Sequence, residues 1–314
     1  MYSIPLRTRF RGITVREGML IRGASGWGEF SPFWDYDATE AERWLPCAVE
    51  AAAGNWPAAV RARIPVNCTV PAVDAQTAQA IVRQSKCHTA KLKVAEPGQT
   101  LGDDVERVAS VRDALGPGGA IRVDANGAWS VDEAVRAIVV LDRAAGGLEY
   151  VEQPCSSLEE LAAVRLRVAV PIAADESIRR AEDPLRVAVV GAADIAVLKV
   201  QPLGGVRRAL AVAERCGLPV VVSSALETSV GLAAGVALAA ALPELPYACG
   251  LATGALLDAD VCSDPLVPVD GFLPVRSVNP DLRADVAADE ATTRRWYERF
   301  AAVNGPAIRL ERTA

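Results

Sequence analysis

AIRVDANGAWSVDEAVRAIVVLDRAAGGLEYVEQP (120–154) holds one complete structural unit and the start of the next. A short apolar run, AIRVDA (120–125), carries an acid near its end, Asp124. Ser130 and Glu133 then form a capping box ahead of Ala134, Ala137, Ile138 and Leu141, which fall on one helical face. Gly146–Gly147 stops that helix as left-handed caps do. A second apolar run, LEYVEQ (148–153), carries a second acid, Glu152, at the matching place. The spacing predicts strand, loop, helix, loop and strand.

The layout continues in both directions. Ser157 and Glu160 repeat the capping box, and PIAADE (171–176) brings a third acid in phase, Asp175. AKLKV (90–94) upstream and DIAVLKV (194–200) downstream put Lys93 and Lys199 in phase on either side. PVNCTV (65–70), PVVVSSA (219–225) and YACGLA (247–252) raise the strand-like runs to eight, and Gly217 ends a further helix. The runs are short and mostly apolar, as strands covered on both faces are. Eight strands alternating with helices and no long linker predict a (β/α)8 barrel over residues 63–273. An open doubly wound sheet is the alternative. It lacks its cue, because no GxGxxG or GxxxxGK[ST] follows the first strand.

Residues 1–62 differ. They hold Trp27, Trp34, Trp44 and Trp56, the stretch GASGWGEFSPFWDYD, and a helical pattern from Thr39 to about Ala53. The tail from about 274 to 314 holds a helical pattern, DEATTRRWYERFAAV, and a strand-like end, IRLER. Together these predict a small α+β capping domain built from the N-terminus and the C-terminal tail.

The chain has 314 residues, 51% of them apolar, and a net charge of −6, enough for one large core and unsuited to nucleic acid. No basic run suits a membrane surface and no stretch of signal-peptide length opens the chain, which predicts a cytoplasmic protein. SVGLAAGVALAAAL (229–242) is too short to span a bilayer and reads as a buried helix. The seven cysteines are odd in number, without CxxC, and read as small core residues in a reducing compartment. The single histidine, His88, builds neither a histidine-rich metal site nor a Ser-His triad. A homo-oligomer is compatible with the sequence.

A residue recurring at the end of each strand lands on one rim of a parallel barrel, where barrel enzymes keep their chemistry. Three carboxylates meeting there suit a hard divalent cation, and lysines beside them can move protons. Singly, Asp124, Glu152 and Asp175 each read more readily as turn or capping residues. Jointly, three acids in phase are hard to explain as structure. Lys91 and Lys93 are two apart, so a strand aims both the same way. On a core strand both would face the barrel interior, which is costly for unpaired ammonium groups. The competing reading is an edge strand with both lysines in solvent.

The set Lys91-Leu92-Lys93, VDAN (123–126), EQP (152–154), DES (175–177) and LKV (198–200) resembles the enolase superfamily. It is most similar to the branch of muconate lactonizing enzymes, dipeptide epimerases and o-succinylbenzoate synthases. VVSSALETSVG (221–231), GEFSPF (28–33) and CGLATGALLDAD (249–260) look like the synthase group of the menaquinone pathway. The resemblance implies a syn dehydration of 2-succinyl-6-hydroxy-2,4-cyclohexadiene-1-carboxylate to 2-succinylbenzoate. It implies Mg2+, or Mn2+, on Asp124, Glu152 and Asp175, with Lys93 as acid/base, Lys91 as its electrostatic partner and Lys199 as a cation on the opposite face. Ser223, Ser224, Glu227 and Thr253, with a helix N-terminus, are candidates to hold the carboxylate of the small-molecule substrate; ordinary loop and cap roles read as well for them. Phe30, Trp34 and Tyr36 either cover the ring or form the cap's own core. The chain is shorter than typical members of the branch, and the shortage falls in the cap.

Three rivals stand beside the synthase. An N-acylamino-acid racemase or dipeptide epimerase needs the same acids and lysines. A Schiff-base aldolase would use Lys199 as nucleophile and leave the three acids idle. A non-catalytic binding barrel would leave the lysine pair unexplained as well.

Overall fold

The computed structural model describes residues 1–304 except 181, 182, 184 and 282. IRLER, the strand-like ending, lies outside the described residues. Among those described, no helix is long and apolar enough to cross a membrane.

The chain opens with three antiparallel strands, β1 (Tyr2–Phe10), β2 (Ile13–Arg22) and β3 (Trp27–Phe30). β1 and β2 are joined by Arg11 and Gly12, both at positive φ (51° and 77°), as a tight hairpin turn requires. Two helices follow, α1 (Ala38–Glu42) and α2 (Leu45–Ala53), where the sequence predicts one. Pro46, at the start of α2, is the reason: it has no N–H to extend a helix from α1 and is suited to open a new one.

The barrel follows. β4 (Arg63–Pro65) leads into seven parallel strands in chain order: β5 (Cys68–Val70), β6 (Thr89–Lys93), β7 (Ala120–Asp124), β8 (Tyr150–Glu152), β9 (Ile172–Ala174), β10 (Ile195–Lys199) and β11 (Val220–Ser223). The main helices outside are α3 (Ala75–Ser85), α4 (Leu101–Leu115), α5 (Val131–Ala145) and α6 (Leu158–Arg165). Short turns α7 (Glu176–Arg179), α8 (Arg186–Val189) and α9 (Val200–Leu203) precede α10 (Val206–Cys216) and α11 (Ser229–Ala241). Both expected capping boxes form, and Thr100 with Asp103 makes a third at the start of α4. α11, the apolar stretch near 229–242, is buried on every side.

The expected eighth strand at 247–252 is reduced to two residues. Cys249 pairs in parallel with Val66, and Gly250 with Ser223, so this segment closes the curled sheet between β11 and the start of β5. The approach is close enough that a Cβ on Gly250 would sit 2.6 Å from Ser223 Oγ. Closure removes the open-sheet alternative. β12 (Phe272–Pro274) pairs with β4 at the end of the barrel where the strands begin.

α12 (Glu290–Asn304) returns to the first layer. Its Trp296 and Phe300 meet Phe30 edge-on at 6.1 and 5.8 Å, and Trp34 lies 4.8 Å from Trp296. Phe30 and Trp34 are therefore part of the cap's own packing and do not cover a ligand. β1 also lies along 257–258, where Pro5 O accepts Asp258 N–H at 2.9 Å. Because Phe300 is buried and ties the tail to β3, Phe300→Ala is expected to cost about 3–5 kcal/mol. A calorimetric midpoint within a degree of wild type would refute that.

Candidate active site

Five polar residues end the barrel strands on one rim. Lys93, Asp124, Glu152 and Lys199 are the last residues of β6, β7, β8 and β10, and Asp175 directly follows β9. Register puts Lys93 beside Asp124 and Asp124 beside Glu152. β6 is paired on both sides, so the edge-strand reading of the lysines fails. Below this rim the barrel is filled by Tyr150, Ala173, Ile195, Val197 and Val221, which form an apolar plug. His88 sits at the opposite end of β6, exposed.

The acids are fully buried and their charges are matched by cations. Asp124 Oδ2 lies 2.6 Å from Lys93 Nζ and 3.1 Å from Lys91 Nζ. Glu152 Oε1 lies 2.7 Å from Lys91 Nζ. Asp175 takes Lys199 Nζ at 2.6 Å on one oxygen and Arg179 Nε at 3.0 Å on the other. Burial alone would raise Asp124, but Lys93 and Lys91 overrule it and hold the carboxyl far below the usual range. Burial would likewise raise Asp175, which Arg179 and Lys199 bring down to about 2. Glu152 goes the other way. Burial first, and the charge of Asp124 second, push it up to about 7. Burial opposes a charged Lys91, yet Glu152 and Asp124 raise its pKa well above the ordinary value, so it stays protonated.

Glu152 Oε2 is buried without a partner. A buried carboxylate oxygen left unpaired costs on the order of 1–3 kcal/mol. Among the described residues no three acidic, histidine or cysteine side chains form a ready-made metal cage; lysine ammonium groups stand against the acids. Three buried carboxylates, one with an idle oxygen, are donors of the kind a hard cation takes.

Two residues of the VDAN and EQP motifs, given no role from sequence, shape this row. Gln153, at a left-handed φ of 40°, accepts the N–H groups of Asp175 and Ser177 at 3.0 and 3.2 Å and donates to Ser177 Oγ at 2.7 Å. It thereby ties the end of β8 to the turn after β9. Asn126 takes Lys93 Nζ on its side-chain oxygen at 2.6 Å and donates to Glu176 at 3.1 Å. Arg179 was legible in principle, as a cation four residues after Asp175 on one helical face.

The rim opens into a cavity of about 220 Å³. Lys91, Lys93, Lys199, Ser223, Ser224 and Thr253 line it. Ser224 Oγ and Thr253 Oγ1 are 2.6 Å apart. Glu227 does not line the cavity: it is fully buried, and both its oxygens accept Ala225 N–H at 2.9 Å. Nor does the N-terminus of α11 face a ligand, because Thr228 N–H and Gly231 N–H point to Glu29 at 3.1 and 3.0 Å. From the cap, the cavity is closed by the hairpin residues Phe10 and Arg11 and by Phe33. Phe10 lies 5.5 Å from Lys93 Nζ. Tyr36 is buried behind them, bonded to Arg179, so of the three aromatics named from sequence none lines the cavity.

Residues 1–52 match the family described as enolase N-terminal domain-like, and residues 73–281 match that described as enolase C-terminal domain-like. An o-succinylbenzoate synthase of Thermobifida fusca is 65% identical over 313 residues, which is 99% of this chain and 97% of that protein. One of Mycolicibacterium smegmatis is 56% identical, covering 96% of this chain and 93% of its own. A muconate lactonizing enzyme of Pseudomonas fluorescens, solved with muconolactone, superposes with a TM-score of 0.76 at 23% identity, over 94% of this chain and 96% of that one. The L-Ala-D/L-Glu epimerase of Bacillus subtilis superposes at 0.74 with 24% identity, over 91% and 97%. These two likenesses speak to the fold.

Glu227 gives this region a measurable pH dependence. Burial, then the neighbouring charge of Glu29, push it up to about 7, while Ala225 N–H and Arg16 act against the rise. Unfolded, a glutamate releases its proton near 4.3. Between these values the native state holds the extra proton, so the contribution of Glu227 makes stability fall as pH rises through the window and level off above it. Glu227→Gln is expected to lose less stability than wild type between pH 5 and 8, by about 2–4 kcal/mol. Urea unfolding at the two pH values measures it, and identical pH slopes would contradict the assignment.

Proposed function

Because the chain belongs to the enolase superfamily, we propose that it is an o-succinylbenzoate synthase, a hydro-lyase of menaquinone biosynthesis acting on a small carboxylate substrate. It dehydrates 2-succinyl-6-hydroxy-2,4-cyclohexadiene-1-carboxylate to 2-succinylbenzoate. The observation that carries the reading is the placement of the two rim lysines. Lys93 holds Asp124 at one end of the carboxylate row and Lys199 holds Asp175 at the other.

Asp124, Glu152 and Asp175 would hold the divalent cation, Mg2+ or Mn2+. Their fit rests on the buried, unpartnered oxygen of Glu152. Bound there, the cation supplies positive charge against the negative charge that develops on the substrate's ring carboxylate.

Lys93, as the neutral amine, takes the proton from the ring carbon that bears the carboxylate. The C–H electron pair becomes the new ring double bond as the C–O bond of the neighbouring hydroxyl breaks. Lys93 returns its proton to that oxygen on the same face, and water leaves. Lys91, charged and fixed between Asp124 and Glu152, keeps a positive field beside Lys93. Lys199 sits across the ring as an ammonium and supports the charge without giving up its proton. Ser223, Ser224 and Thr253 face the non-reacting succinyl arm. The apolar plug below and Phe10 and Phe33 above exclude water.

Formation of the aromatic product from the cyclohexadiene with Mg2+, abolished by chelator, is the expected result; a chelator-insensitive reaction would remove the metal from the reading. Lys93→Ala is expected to lose on the order of 10²–10⁴ in kcat, and Lys93→Arg little less, since arginine stays protonated. Near-normal turnover in Lys93→Ala would refute its role. Asp124→Asn is expected to weaken Mn2+ binding in calorimetry while leaving the circular dichroism unchanged. Two opposed lysines also suit racemization, so an N-acylamino acid in D2O is the control substrate. Lys199→Ala is expected to slow dehydration by roughly 10²–10³. Full activity in that variant would show the second face to be dispensable.

A further inference from the structure

The wall of the cavity at Ser223–Leu226 is held from behind by two buried charges of the capping layer. Arg16, on β2, is 2% exposed and donates to the carbonyls of Leu226 at 2.7 Å and Ala225 at 3.4 Å. Glu29, on β3, is equally buried and accepts Thr228 N–H and Gly231 N–H, closing the start of α11. Ser31 links the two, taking Arg16 Nη2 at 2.9 Å and donating to Glu29 at 2.8 Å. Tyr2 adds a bond to Glu29 at 2.6 Å. Inside the loop, Ala225 N–H goes to Glu227. The polar backbone between β11 and α11 is thus largely satisfied by charged side chains on the side away from the cavity.

The loop needs such support. Leu226 stands at a φ of 63°, a left-handed conformation that costs a leucine roughly 1–2 kcal/mol and persists only where the surroundings hold it. Its carbonyl is the one that Arg16 grips most closely. The side chains on the other side of this backbone, Ser223, Ser224 and Leu226, line the cavity.

We propose that Arg16 and Glu29 are positioning residues: docking of the cap sets the wall at 223–226 through them, and with it the fit of the substrate's non-reacting succinyl arm. The inference rests on the synthase reading for the identity of that arm, and on the geometry alone for the wall. Neither residue touches the reacting atoms, so their loss acts on binding before chemistry.

The test compares Arg16→Met, which keeps length without charge, Arg16→Lys and Glu29→Gln with wild type. It uses steady-state kinetics on the cyclohexadiene substrate and amide deuterium exchange. Arg16→Met is expected to raise KM about tenfold with kcat within about threefold, and Arg16→Lys to recover part of the loss. Exchange in 224–231 is expected to quicken while 195–199, the strand of Lys199, stays unchanged. Glu29→Gln preserves shape and carries the same test if Arg16→Met does not fold. Loss of kcat at unchanged KM, faster exchange in both segments alike, or no change in either measurement would overturn the proposal. If wild type fails to turn over the substrate, the synthase reading falls, and exchange in 224–231 alone then decides the wall: unaltered rates sink it.

Discussion

Three carboxylates buried side by side repel one another, and the site is organised around compensating that repulsion. Asp124, Glu152 and Asp175 are fully buried at the ends of neighbouring strands. Removing such charges from water costs several kcal/mol each unless partners take their place. Lys91, Lys93, Lys199 and Arg179 are those partners here. The compensation is uneven, because Asp124 and Asp175 are each met on both oxygens whereas Glu152 keeps one oxygen idle. The rim thus concentrates three acids and four cations at the ends of neighbouring strands.

The barrel surrounds that charge with a closed and mostly apolar interior. Cys249 and Gly250 bridge the two sides of the curled sheet. The interior below the rim is packed with Tyr150, Ile195, Val197 and Val221. Apart from Arg122, buried deeper in the barrel on Glu149 and Ala248 O, the polar groups of the rim sit at the strand ends, where short loops and turns position side chains without disturbing the core. Gln153 is an example, spending its amide on the turn that presents Asp175.

The cap is more than a lid. Its aromatic packing against α12 joins the two ends of the chain, and its hairpin closes the cavity with Phe10 and Arg11. Its buried charges, Arg16 and Glu29, reach into the loop after β11. Glu29 occupies the helix N-terminus that would otherwise attract an anionic ligand, a use of the helix dipole for assembly in place of binding.

Phase was legible in the sequence. A carboxylate or lysine at the end of each successive strand, with capping boxes between, located the rim, its five polar residues and Lys91, because strand alternation and helix capping are local and leave a local record. The break at Pro46 was local too and open to the same reasoning. What the tertiary structure alone decided involves residues far apart in the chain. Between ligand group and loop residue, Glu227 turned to its own loop, and between ring cover and cap core, Phe30 packed on Phe300. Arg16 met Leu226, Glu29 met Gly231, and two residues sufficed for the eighth strand because Gly250 fits against Ser223. The physical reason is that a side chain's secondary structure follows from its neighbours in sequence, whereas its partner depends on which surfaces are left to bury once the barrel has closed.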